Sequence, residues 1–200
     1  MAGLLLRPWA RVILVVVAIE CALSMGVLAY VAWDLQHRHG VSLALSGLWI
    51  VAYPAGGLLY ATFSAPLVAR LGEQGLALAG GLLIGAGYLC LLLAPAALVV
   101  LPGLLAVGIG FAMLHNTLQV NATQMAPEAR GAAVSLFAFC LFTSQSAGIA
   151  VVGRVIDAAG IWPAYLAAAL GLPLLALEFR RRLQHKARAA EAPGTAKGSA

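Results

Sequence analysis

Six long apolar segments, separated by short polar ones, dominate the sequence. A helix that spans a bilayer needs roughly 20 apolar residues, with a range of about 17 to 25. The pattern therefore predicts an all-α membrane protein with six transmembrane helices, at residues 12–33, 43–68, 75–94, 96–118, 132–153 and 161–179. These helices make up a domain of residues 1–183, and residues 184–200 are expected to be a disordered cytoplasmic tail.

The third and fourth segments are separated by a single proline. Residues 75–114 could be read as one apolar element, but a helix of that length would be about 60 Å long, about twice the thickness of the hydrocarbon core. Two helices joined by a hairpin at Ala94–Pro95 are therefore predicted.

The composition excludes a soluble domain of ordinary type. Hydrophobic residues make up 62% of the chain and charged residues 10%, whereas soluble domains are roughly 45–50% apolar and about 25% charged. The bilayer is therefore the expected environment. The formal net charge of +5 is compatible with binding of nucleic acid, but the dense basic run at residues 180–188 directly follows an apolar helix, where membrane proteins place cytoplasmic anchoring charge. No nucleic-acid partner is expected.

No pattern in the sequence indicates an enzyme, a cofactor or a metal. Cys21, Cys90 and Cys140 each lie alone inside an apolar segment, so they are interpreted as packing residues. The chain has neither the His-Glu-x-x-His motif of zinc proteases nor the Gly-x-Ser-x-Gly motif of hydrolases. A catalytic function is not expected.

The positive charges predict the orientation. With six helices both termini lie on one side, and that side carries ten of the twelve Lys and Arg residues: Arg7, Arg11, Arg70, Arg130, Arg180, Arg181, Arg182, Lys186, Arg188 and Lys197. The other side carries Arg38 and Arg154. Because positive loops stay in the cytoplasm, both termini are predicted to be cytoplasmic in a multi-pass protein of the plasma (inner) membrane.

Glu20 is the ionisable residue deepest in a predicted span. It lies nine residues beyond Arg11, about 13 Å along a helix and close to the middle of the bilayer. A charge there costs roughly 2.5–3.5 kcal/mol, and such residues usually serve a function. Burial disfavours the carboxylate, so Glu20 is the candidate for proton coupling. The structural alternative is a neutral acid bonded to Gln145, Ser144 or Asn116.

Two loops share a pattern that suggests an internal repeat. Ala65–Gly72 follows the second helix and Gly153–Gly160 follows the fifth, and each begins with a small residue and ends in glycine before a new apolar helix. The pattern relates helices two and three to helices five and six. Because each unit would contain three helices, the two units would have opposite orientations, as in the inverted repeats of transporters.

The stretch 114–137 carries a resemblance to a family. Pro127-x-x-Arg130-Gly131 before an apolar helix, followed by Gly153, Asp157 and Gly160, resembles the C-terminal half of major facilitator superfamily efflux permeases. The loop with Arg70 and Gly72 resembles the weaker copy of the family's Gly-x-x-x-Asp-Arg-x-Gly signature. The chain departs from that signature at Ala69, Glu73 and Gln74.

The resemblance implies one half of a twelve-helix transporter fold. It implies a secondary transporter that exports a small organic compound, and the cavity would be completed by a second copy or by a complementary N-terminal half. A lone half is expected to leave Glu20 unshielded from lipid. The alternatives are a non-transporting membrane component or a truncated, inactive fragment.

The resembled fold also implies which side chains line the substrate path. Its first and fourth helices line the central path, which makes Ser24, Asn116 and Gln119 candidates. Phe142 and Gln145 share one face of the fifth helix with Phe139, although simple packing is the more common role for phenylalanines at this spacing. The polar run 115–124 is interpreted as a helix leaving the bilayer, with a proton relay at its first residue as the less favoured alternative. Arg130, Arg154 and Asp157 are interpreted as anchors at membrane boundaries.

Overall fold

A computed structural model describes residues 6–191 and confirms the all-α prediction. The helices are α1 Pro8–Leu28, α2 Val31–His39, α3 Leu43–Ile50, α4 Ala52–Leu93, α5 Val100–Gln124, α6 Arg130–Ala159 and α7 Trp162–Glu191. Short 3-10 turns at Ala97–Val99 and Pro127–Ala129 precede α5 and α6. Helix α4 packs mainly against α5 and α7, and α1 packs mainly against α6 and α7.

Five helices of the described residues are long and apolar enough to cross a membrane. They are Pro8–His39, Leu43–Leu93, Ala97–Gln124, Pro127–Ala159 and Trp162–Ala189. The sequence pattern predicts six spans. The difference lies in the 51 residues Leu43–Leu93, which comprise α3 and α4 and which the prediction divides into two spans.

The long helix α4 is interrupted at Gly72. Gly72 has φ 60° and ψ −179°, a backbone conformation that is essentially restricted to glycine. On one side of the break, Gly56 lies against Leu105–Ile109 and Tyr60 clusters with Met113, so residues 52–71 run parallel to α5. On the other side the direction is reversed, because Gly80 lies against Gly110 and Gly87 against Gly103. The chain therefore reverses its direction relative to α5 at Gly72.

Four segments meet at one end of the bundle. The Arg7 side chain forms an ion pair with Glu128 and donates to the carbonyl of Met125 (3.2 Å), which ties the N-terminal end to the turn between α5 and α6. Residues 71–74, around the break in α4, line a cleft of about 340 Å³ together with Leu183, Lys186 and Ala187 of α7. The beginning of α1, the break in α4, the turn before α6 and the end of α7 are thus neighbours.

A buried carboxylate joins three helices at the opposite end. Asp34 of α2 accepts a hydrogen bond from Arg38 (2.9 Å) and another from the Tyr165 hydroxyl of α7 (3.0 Å). Arg38 also donates to the carbonyls of Leu91 and Leu92. These are among the last carbonyls of α4, which no intrahelical N–H can satisfy. The network therefore caps α4 and fixes α2 against α7.

The end of α7 corrects one boundary. Residues 184–191 are helical and continue α7, so they are not part of a disordered tail. The segment is rich in alanine with glutamine, lysine and arginine, which all favour helix, so α7 extends beyond its apolar part. The rest of the predicted tail, including Lys197, lies outside the described residues.

Candidate functional site

The centre of the bundle contains a carboxyl group paired with an imidazole. Glu20 of α1 is fully buried, and its Oε2 lies 3.0 Å from Nδ1 of His115 on α5. With the carboxylate charged, the ring N–H donates to Glu20, and with the acid neutral, Glu20 donates to the ring nitrogen. The pair can therefore hold one proton at either of two atoms.

Aromatic side chains hold the His115 ring in place. The ring stacks on Phe111 at a centroid distance of 4.8 Å and an interplanar angle of 10°. Phe137 of α6 packs against it at 5.6 Å and 46°. The side chain of His115 retains 14% of its exposure, whereas that of Glu20 retains none. His115 is thus the more accessible member of the pair.

Two buried oxygens near this pair make no hydrogen bond to any residue in the described range. They are Oε1 of Glu20 and Oγ of Ser24, which lies one turn later on α1. The Ser24 backbone carbonyl does have a partner, because it accepts a hydrogen bond from the Tyr88 hydroxyl at 2.6 Å. Unpaired buried polar atoms are costly and uncommon, and they often mark functional positions.

Cys21 brings a third possible ligand to the same place. A carboxylate oxygen of Glu20, the thiol sulfur of Cys21 and a ring nitrogen of His115 all lie within 4.8 Å of one another. Carboxylate, thiolate and imidazole are donors that zinc and copper use in proteins, so these three residues could together hold a metal ion. Cys21 is fully buried, as expected for a packing residue.

The burial of Glu20 overturns one expectation from the sequence. A lone bundle was expected to leave this residue unshielded, but Glu20 is enclosed by helices of its own chain. The observed partner is His115, and none of the three predicted side chains (Gln145, Ser144 and Asn116) takes that place. Ser144, for example, donates to the carbonyl of Leu141 one turn earlier in its own helix.

The structure does not gather the other substrate-path candidates around Glu20. Asn116 and Gln119 are exposed on α5, and Asn116 lines a small cleft of about 210 Å³ with Tyr60 and Glu73, near the break in α4. Phe142 is 65% exposed on the outer face of α6. Gln145 lines a different cleft, of about 350 Å³, with residues 25, 28, 29 and 32. Of the five candidates only Ser24 is buried beside Glu20.

The predicted loop residues lie at or near the ends of helices, and the loop predicted at residues 153–160 is helical as far as Ala159. Arg70, Arg130, Gly131 and Asp157 are exposed, and Pro127 begins the 3-10 turn before α6. Gly153 lies against the hydroxyl of Tyr30, which donates to the carbonyl of Ile149 (3.1 Å). Gly160 ends α6 with φ 79° and ψ −176°.

A comparison with protein families identifies the fold. The family model described as the Major Facilitator Superfamily matches residues 13–198, which is nearly the whole chain. The chain belongs to the major facilitator superfamily. The match confirms the predicted resemblance to this superfamily. Members of the family are generally transporters and not enzymes. No curated protein matches the sequence closely enough to count as a relative.

Within this major facilitator chain, the contact between His115 and Glu20 was not predicted from the sequence. The fourth span was predicted to end at residue 118, and the polar run 115–124 was interpreted as a helix leaving the bilayer. Helix α5 continues to Gln124, so His115 lies nine residues, about 13 Å, before its end. An imidazole this far inside an apolar helix, at a depth similar to that of Glu20, was the signal that could have paired the two residues.

Proposed function

We propose that the chain is one half of a proton-coupled secondary transporter that exports small organic compounds. The observation that carries the proposal is the Glu20–His115 pair, because a carboxyl group and an imidazole 3.0 Å apart lie among buried apolar side chains. Ionisable residues inside a membrane domain are expensive and commonly form proton relays. Family membership supports the transport function, and the pair supports coupling to protons.

The pair provides a route by which a proton reaches the buried acid. His115 retains some exposure and contacts Glu20 through Nδ1, so a proton taken up by the ring can pass to the carboxyl group. An imidazole has two ring nitrogens, of which one can accept a proton while the other donates, so the ring is suited to this transfer. Oε1 of Glu20 and the Ser24 hydroxyl have no hydrogen-bond partner in the described range, so a water molecule that enters the bundle could bond to them.

We further propose that the chain crosses the membrane six times, as two inverted three-helix units. The reversal of α4 at Gly72 supports the sixth crossing. Gly72 and Gly160 occupy corresponding positions in the two similar loops, and they share a backbone conformation of positive φ with ψ near 180°. Gly40, which also has positive φ, has ψ 19° instead.

Labelling of single cysteines tests the six-span arrangement. In a chain with Cys21, Cys90 and Cys140 replaced by alanine, Ala96→Cys is expected to react with a membrane-impermeant maleimide in intact cells, because the α4–α5 turn lies outside. Glu73→Cys lies beside the break in α4, at the basic end of the bundle, where the beginning of α1 and the end of α7 also lie. It is expected to react only after permeabilisation. If residues 43–93 crossed only once, residue 96 would lie on the cytoplasmic side, and its protection in intact cells would contradict the proposal.

Exposed apolar faces support the need for a second bundle. In the most apolar 18 residues of Pro127–Ala159, only 17% are buried inside the protein, compared with 50% in those of Pro8–His39. Three side chains of α6 are more than half exposed: Phe139, Phe142 and Val151. So are Leu58 and Phe63 on the first arm of α4, which is the part before Gly72 (residues 52–71). A second copy of the chain or a complementary half would cover these faces, and lipid would cover them in a non-transporting component, which is the alternative function.

Reconstitution separates the two functions. The purified chain, placed in liposomes with an imposed pH gradient, is expected to move ethidium, a permanently charged amphiphile, against its concentration gradient. Light scattering of the same preparation is expected to give the mass of two chains. A monomer whose liposomes behave like protein-free liposomes would exclude a homodimeric transporter and would favour the non-transporting component over it.

A further inference from the structure

We propose that the cleft between the beginning of α1 and the end of α7 binds the head group of an anionic phospholipid. This cleft has a volume of about 640 Å³. Its lining residues are Pro8, Trp9, Val12, Glu178, Arg181, Arg182, His185 and Lys186. It lies at the basic end of the bundle and does not include the Glu20–His115 pair.

The α7 side of the cleft is positively charged along one helical face. Residues 178, 181, 182 and 185 occupy positions i, i+3, i+4 and i+7 of the helix, so their side chains project from the same side. With histidine neutral, Arg181, Arg182 and Lys186 give three positive charges against one negative charge from Glu178, a net +2. That charge matches a head group that carries one or two negative charges.

Existing contacts leave part of this charge available. Glu178 and Arg182 form an ion pair at 2.8 Å between Oε1 and Nε, which neutralises both. Lys186 lies 4.4 Å above the centroid of the Trp9 ring and also donates to Oδ1 of Asn121 (3.3 Å), so its ammonium is held at the cleft. Within the described part of the chain, Arg181 has no ion-pair partner. Arg181 and Lys186 are therefore the two cations that a phosphate would meet.

The depth and the apolar wall favour a lipid over a free anion. The apolar stretch of α7 ends at Leu177, immediately before the first charged residue of the cleft, so the cations lie at head-group level. Trp9 is a residue type enriched at this level. Pro8 and Val12 supply apolar surface beside the cations, where the glycerol and the upper part of an acyl chain would lie. Basic pockets between transmembrane helices on the cytoplasmic side bind such head groups.

Native mass spectrometry of the detergent-purified chain tests the site. We expect the chain to retain phosphatidylglycerol in preference to phosphatidylcholine with the same acyl chains. The double variant Arg181→Gln, Lys186→Gln should bind phosphatidylglycerol roughly 10- to 30-fold more weakly, since each basic residue near the surface contributes about threefold to fivefold. Equal retention by the double variant and the wild type would overturn the proposal, as would equal retention of the two lipids.

Matched variants separate the cleft from general basicity. Arg70 and Arg130 are exposed at the same basic end but do not line the cleft, so Arg70→Gln, Arg130→Gln removes the same charge and is expected to leave retention unchanged. A loss as large as that of the cleft variant would overturn the proposal. If the double variant does not fold, Arg181→Gln alone is measured and is expected to lose several-fold. Displacement of the lipid by millimolar inorganic phosphate would indicate a site for free anions and not for lipid.

Discussion

Replacement of Glu20 by glutamine should abolish gradient-driven transport while leaving the bundle folded. Glutamine has the size of glutamate, and its amide can still bond to Nδ1 of His115, so the contact at 3.0 Å can be kept. An amide cannot take up or release a proton at the pH values of a transport assay. Accumulation of ethidium in liposomes under a pH gradient should therefore fall to the level of protein-free liposomes.

The matched control for this variant is Asp157→Asn. Asp157 is an exposed acid at the end of α6, so the same chemical change there should leave accumulation unchanged. Infrared difference spectroscopy gives an independent readout, since the Glu20→Gln variant should lose the carboxylic C=O band that a pH step produces in the wild type. Full gradient-driven accumulation by Glu20→Gln would exclude Glu20 as the coupling residue and would leave it as a buried hydrogen-bonding group.

Substitution of Gly108 by alanine should destabilise the bundle strongly. A Cβ at Gly108 would lie 2.9 Å from the carbonyl carbon of Tyr53 and closer still to its oxygen, so the first arm of α4 would have to move away from α5. Backbone atoms cannot adopt another rotamer to relieve the clash. Overpacking of this kind costs about 1–3 kcal/mol and occasionally more, and we expect the upper end. Thermal unfolding in detergent, followed by circular dichroism, measures the loss.

Gly57 lies in the same interface and provides a control, because its substitution by alanine is not expected to lower the melting temperature. A Cβ there would be 4.0 Å from that of Ala112, which is ordinary van der Waals contact. Alanine favours helix over glycine by up to about 1 kcal/mol, so Gly57→Ala should leave the melting temperature unchanged or raise it. If Gly57→Ala and Gly108→Ala lowered the melting temperature equally, close backbone contact would not be what holds α4 to α5.

The sequence was sufficient to predict the all-α class and the apolar helices, whereas the six spans and the inverted repeat remain proposals. Apolar length alone located the helices, and Pro95 marked the turn between α4 and α5, because α4 ends at Leu93. Ser42 was not singled out, although its side chain caps α3 by accepting from the amide of Leu45 (3.3 Å). Helix ends were less predictable, since α5 and α7 continue as polar helix well beyond their apolar parts.

The composition of the site was harder to predict than its location. The depth of Glu20 in its helix followed from counting residues. Its partner depended on how α1 and α5 are rotated about their own axes, which hydropathy does not determine when both helices are apolar on most faces. The same uncertainty explains why Asn116 and Gln119 are exposed, although they lie on the same helix as His115.

The glycine contacts between α4 and α5 bear on how a transport cycle could move this chain. Gly80 meets Gly110 and Gly87 meets Gly103, so the two helices touch backbone to backbone at two points about two turns apart. Sliding one helix past the other would drive side chains into both contacts at once. The pair therefore resists shear, and any alternation between inward- and outward-facing states would move α4 and α5 together as one unit.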